Sequence, residues 1–567
     1  MKNNSLIRGI FLAALLSLTV TSCFNRQSGS NSENQSSDQS SDNTSESSSS
    51  SEELPPEDKL ELVEYDPYKA ITNHRNMRIN GEGAACEQYT EHTQRVQAED
   101  GTWKTERKYI VENVRALVVP IDFTDYTYEV YGDTEDQSRE ELRKIMFGTR
   151  EETSWYSLSE YYKSSSFGQC NVTGDVAPWW HTNIKSTSLP KDSDSKMTST
   201  SYARTIATDI RDYYREHADE INLADYDANQ DGYVDALLMV YTAPIETTGS
   251  LWWAFCWSLV NPYGKYTPDG GYEGVNRFFW CAFNFFYEKA NGQYYSSEEI
   301  KNGTAVPDSH TIIHEFGHVL SLPDYYVTDY SGSDYSGLGG LDMMDYNIGD
   351  HNAFSKMMYG WINPLRLRGT DGSITYTLHS TTTTGETIII PAKGEENWDN
   401  TLLSQYIMVE FLTPEGVAEQ DGKVALVGRS KYYSKAGVRI TLVDARLGSW
   451  VYSSSGYQFG GYTYMTKPQD NQSYISFAAD NTASRSCSKN FKLIEVLPSN
   501  GRAMKYVNEA DDSLLYYEGQ SFGANGVFEN YMMHDSNGGY TKQFGFSISV
   551  DKIEGNDSAT ITFTAVK

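Results

Sequence analysis

The sequence predicts an α+β protein in two parts, a mixed α/β segment followed by a β-rich, sandwich-like C-terminal region. Three observations lead there. At 567 residues the chain exceeds what one hydrophobic core organises, so more than one folded unit is expected. Between residues 113 and 241, apolar runs of strand character alternate with stretches of helical period. Beyond Gly369 the helical period gives way to short alternating runs punctuated by Gly and Asn, with clear strand candidates at Ile374–His379, Glu386–Ile390 and Thr560–Ala565. An aromatic content of 13%, with 42 Tyr, favours such β-rich structure over disorder or coiled coil.

In chain order, Lys2 and Arg8 precede an apolar run from Gly9 to Val20, too short to span a membrane and of the length of a secretory signal. Val20-Thr21-Ser22-Cys23 resembles the lipobox of bacterial lipoproteins. That resemblance implies a signal peptide over 1–22, cleavage before Cys23, a lipid on its thiol, and a place on the extracellular face of the bacterial membrane. An ordinary secretory signal with an incidental cysteine is the alternative. Residues 23–53 are Ser-rich with little that can pack, the composition of a tether. Residues 54–112 read as an N-terminal segment, either a pro-segment or a wrap.

Residues 113–368 form the mixed segment. Val114–Phe123 is a buried first strand, Asp125–Arg150 a loop and helix, and Ser154–Trp180 a helix turning into a strand. Tyr202–Tyr214 places Ile206, Ile210 and Tyr213 on one helical face. Asp227, Asn229 and Asp231 at alternate positions, with Gly232 and then Asp235, match the first half of a calcium loop. Leu238 stands where the bidentate Glu of an EF-hand belongs, so an Asx-rich turn is the competing reading. Asp308 or Ser309 caps the next helix.

That helix carries the chemistry. His314 and His318 lie one turn apart on the same face, so two imidazoles close on one metal ion with Glu315 beside them. Two histidines with an adjacent carboxylate are a zinc site with a general base, and the reaction is metal-assisted hydrolysis. Asp324 follows His318 by six residues, so a chain that turns back after the helix brings a third ligand. His310 shares the face, yet near the helix start it reads as a hydrogen-bonding residue.

HEFGHVLSLPDYY (314–326), GGLDMMDYN (339–347) and SKMMYGWINP (355–364) resemble the immune inhibitor A peptidases, secreted bacterial zinc metalloproteases, and the likeness runs from about Asn113 to about Asp444. The resemblance implies a metzincin-like catalytic domain with His314, His318 and Asp324 on zinc, Glu315 as base and Met344 as the methionine of the Met-turn. It implies for Tyr346 a phenol that reaches the developing oxyanion. Asp342 and Asp345 would hold the turn. Ser321 departs from the family, which usually has glycine there.

A net charge of -31 repels phosphate backbones, which disfavours nucleic-acid partners. Six scattered cysteines make no disulfide scaffold, although Cys256 and Cys281 flank one aromatic stretch and are candidates for a bridge. Residues 369–567 hold no catalytic constellation and read as a β-rich region, with a sandwich-like accessory domain from about Ser454 onward. The function expected is a monomeric, surface-anchored zinc metalloendopeptidase acting on proteins or peptides, with structural calcium as a second metal. The alternatives are an inactive adhesion protein that keeps the fold, and a zinc hydrolase of non-peptide amides.

Overall fold

The computed structural model describes residues 59–65, 92–97, 103–108, 113–153, 155–188, 199–228, 233–245, 252–259, 274–289, 293–320, 322–327, 335–393, 402–425, 430–453, 456–462, 473–482, 491–507, 509–534 and 542–567. The signal peptide, Cys23, the tether, Asn229, Asp231 and Ser321 lie outside these residues, as do Cys86 and Cys487. Helices and several mixed sheets make the protein α+β.

The sheet that positions the site contains β1 (Asn113–Asp122), β2 (Asn171–Val176), β3 (Ala236–Tyr241), β4 (Phe255–Ser258) and β5 (Arg277–Ala282), in the spatial order β2-β1-β3-β5-β4. All pair in parallel except β4, which runs antiparallel to β5 at the end of the order. The strands β1, β3 and β5 are apolar along both faces because helices cover both, the usual requirement of a parallel sheet. On one face pack α1 (Glu135–Phe147), α2 (Leu158–Ser165) and α4 (His310–Val319), through Leu142, Tyr161, Ile313 and Phe316 against Val118, Leu238 and Phe279. On the other lies α3 (Ser199–Glu216), whose Ile206 and Ile210 meet Leu117, Val119 and Met239.

The two larger of the remaining sheets are built mainly from the chain after Gly369. Glu61–Glu64, Leu365–Arg368, Thr387–Ile390, Gln405–Leu412, Gly437–Asp444 and Ile494–Val496 make a six-stranded one. Ser373–His379, Ser558–Ala565, Phe546–Glu554 and Ser521–Phe522 make the other, and Ile388, Val409 and Ile440 of the first share a core with Ile548, Ile561 and Phe563 of the second. The N-terminal strand pairs Glu61 with Arg368 and Glu64 with Leu365, so residues 59–65 are built into this region. Ile389, Met408 and Leu493, all beyond Gly369, belong to the same hydrophobic core as Ile313 and Phe316 of α4. The boundary at 368/369 that alternation suggests therefore crosses a continuous hydrophobic core.

Cys256 and Cys281 are thiols and form no bridge, although β4 and β5 are neighbours. Their strand register sets Cys256 opposite Phe279 and Cys281 one step past the last β4 pair, Phe255 with Trp280. Among the described residues no helix is long and apolar enough to cross a membrane.

Candidate metal centre

Helix α4 starts at His310, and its first free N–H is taken by the Asp308 side chain at 2.9 Å; Ser309 occupies the N-cap position without making that bond. At the other end Arg277 of β5 donates to the carbonyls of His318 (2.5 Å) and Val319 (3.1 Å), a cation where the helix dipole is negative. Between these ends Tyr162 and Tyr359 donate to the carbonyls of Ile313 and Gly317. The helix is thus held at both termini and along its buried side.

On this helix the imidazoles of His314 and His318 have their Nδ1 atoms directed at backbone carbonyls, Met343 at 2.7 Å and Leu322 at 2.8 Å. A carbonyl only accepts, so each Nδ1 carries a proton, and in the neutral ring the lone pair is then on Nε2. Both Nε2 atoms face one oxygen, Asp324 Oδ1, at 3.2 Å from His314 and 3.0 Å from His318. His314, His318 and Asp324 are the one group of three metal-binding side chains that converges among the described residues, with ligand atoms all within 4.8 Å of one another. Two lone pairs and a carboxylate facing each other call for a cation in their midst, and this donor set fits a divalent metal.

Electrostatics point the same way. Burial opposes charge on His318, but Asp324 beside it outweighs burial and carries the imidazole to about 10. Asp324 is held well below the usual carboxylate range, the two imidazoles overcoming its burial. Glu315 is buried next to them, and loss of water raises its carboxyl above the ordinary value.

The segment from Asp342 to Tyr346 lies beneath α4. The Asp342 carboxylate accepts from Met344 N at 2.8 Å and from Asn352 N and Nδ2 at 2.9 Å, and Asp345 accepts from Ser336 Oγ and Gly340 N. Met344 packs its sulfur onto Gly317, where a Cβ would collide with Sδ, so the glycine inside HEFGH makes room for the methionine. The neighbouring Met343 accepts from His314 Nδ1 through its carbonyl. Tyr346 is 40% exposed and its ring lies on Gly340.

Residues 104–238 match the family model of the immune inhibitor A peptidase M6 catalytic domain. The match supports an immune inhibitor A-like peptidase family for this stretch of the chain. Such a domain is that of a metallopeptidase, a hydrolase whose substrates are proteins or peptides. The matched stretch runs from the hairpin strand Trp103–Lys108 through β1, β2 and α3 into β3 and stops before α4. For this immune inhibitor A-like chain the metal centre therefore rests on its own geometry. A search of curated proteins found no match.

The calcium loop fares differently. Asp235 Oδ2 accepts from Arg115 N at 2.8 Å and Ala228 N at 3.2 Å, which fastens the loop to β1. Asp227 follows a 3-10 turn, Leu223–Tyr226, and Asn229 and Asp231 lie outside the described residues. No observation supports calcium there. Two residues near the site escape sequence reading. Tyr326 sets its ring nearly parallel to His314 at 6.3 Å, and Arg277 caps the metal-binding helix from a strand with no motif around it. The doubled tyrosine after Asp324 is a signal for the first; only proximity reveals the second.

Proposed function

We propose that this protein is a zinc metalloendopeptidase that hydrolyses peptide bonds of proteins with Glu315 as general base. The convergence of His314 Nε2, His318 Nε2 and Asp324 Oδ1, with both Nδ1 atoms turned to backbone carbonyls, carries the reading. Two imidazoles and one carboxylate suit zinc, which when bound polarises a scissile carbonyl and lowers the pKa of a water to about 7. Glu315 takes the proton of the attacking water and returns it to the leaving amide nitrogen. Its buried setting raises its pKa toward the pH at which a base must also act as an acid. Tyr346 stands two residues after Met344, and we assign its phenol a hydrogen bond to the developing oxyanion.

The parallel sheet with one antiparallel end strand, the HEFGH helix and the methionine beneath it support a metzincin-like domain. The two sheets built mainly after Gly369, joined by one core, support a sandwich-like second region. The lipobox-like residues ending at Cys23 support a lipid anchor that holds the peptidase at the outer face of the membrane.

The purified chain is expected to bind about one zinc and to cleave casein, and Glu315→Gln is expected to retain the metal and lose cleavage. Cleavage that persists in Glu315→Gln and in the presence of a chelator overturns the mechanism.

A further inference from the structure

One carboxylate outside the matched stretch touches both the helix that carries the metal-centre histidines and the bend after the methionine turn. Asp421 lies on the short helix Glu419–Lys423, beyond the expected peptidase boundary, and is fully buried. Its two oxygens face His310 Nε2 at 3.0 and 3.1 Å, and Oδ2 also accepts from Gly349 N at 2.7 Å. His310 is one helical turn before His314; its Nδ1 meets Asp308 at 2.5 Å and its ring stacks on Trp155 at 3.7 Å. Gly349, with φ of +69°, follows the Met-turn in a left-handed bend. The Met343 carbonyl of that turn receives His314 Nδ1–H.

We infer that Asp421 is a positioning residue of the metal centre: through His310 it sets the rotation of the metal-binding helix, and through Gly349 it sets the turn that orients the His314 ring. The β-rich region would then be part of the catalytic unit. This inference rests on the metallopeptidase reading and deepens it. Outer partners of ligating histidines fix ring orientation, and their loss weakens metal binding by about 10- to 100-fold.

The test uses the full chain, with Asp421→Ala and Asp421→Asn. Zinc release to a chelating dye, the visible spectrum of the cobalt-substituted protein, kcat and KM on fluorescent casein, and Tm are measured. Asp421→Ala is expected to release zinc about 10- to 100-fold faster, to shift the cobalt bands, and to lower kcat by about 10-fold or more with KM within about 2-fold. Asp421→Asn keeps an acceptor for Gly349 and should fall between. A folded Asp421→Ala with the wild-type release rate and cobalt spectrum overturns the inference, even if its Tm falls. If Asp421→Ala does not fold, Asp421→Asn decides by the same two readouts. A wild-type chain that holds no zinc or leaves casein intact sinks the metallopeptidase reading itself.

Discussion

Two clusters in this chain carry the look of metal loops, and they end differently. At His314, His318 and Asp324 the backbone takes the protons on the far side of each imidazole, which leaves lone pairs and a carboxylate oxygen converging. At Asp235, the last residue of the Asp227 to Asp235 pattern, the backbone engages one carboxylate oxygen, since Arg115 N and Ala228 N donate to Oδ2. Spacing proposes ligands in both. What separates them is whether neighbouring peptide groups turn the donor atoms toward one another or engage them in holding the chain.

The sharpest way to break this contrast is Asp324→Ala. Removing the one oxygen that both Nε2 atoms face should reduce zinc affinity by about 100-fold or more and abolish proteolysis, read by metal content after dialysis and by casein cleavage. Full zinc occupancy in that variant would mean that another residue completes the site. Next in size is Gly317→Ala. A Cβ at 317 meets Met344 Sδ, so overpacking should destabilise by about 1–3 kcal/mol and lower activity while the ligand set stays intact, measured by chemical denaturation alongside kcat.

On the other side of the comparison, Asp235→Ala should destabilise the fold by about 1–2 kcal/mol with zinc content and the cobalt spectrum unchanged, because it frees two backbone N–H groups. A rise in wild-type Tm on adding calcium that vanishes in Asp235→Ala would restore the loop as a metal site. The smallest effect expected is one of pH. Burial works against charge on His310, but Asp421 and Asp308 outweigh it and carry the imidazole to about 9. A pKa raised in the folded state stabilises fully below the unfolded value of about 6.5, and that contribution is lost as pH rises toward 9. Tm should drift down over this window by on the order of a few degrees, and His310→Gln should flatten the drift.

The strands and helices around the site were largely legible. The run VRALVVPID is apolar on both faces because β1 is buried on both, and the 3.6-residue period of Ile206 and Ile210 marks α3. Whether Cys256 and Cys281 bridge was not, because it depends on strand register, and that register offsets the two residues, which stay thiols. A separate accessory unit after Gly369 also reads naturally from alternation alone. Yet alternation reports only that strands exist, and Ile389, Met408 and Leu493 share one hydrophobic core with Ile313 and Phe316 of the site's helix.

By itself the sequence determined what depends on neighbours along the chain. His314 and His318 share a face because a helix repeats every 3.6 residues, Glu315 falls beside them, and the glycine within HEFGH leaves room against the helix. Tertiary structure alone decided which groups answer across long separations. Asp421 reaches His310 over 111 positions and Arg277 reaches His318 over 41. Such contacts leave no period in the sequence, because they are set by how sheets and helices pack, and it is that packing which turns one aspartate toward the metal site and another toward the backbone.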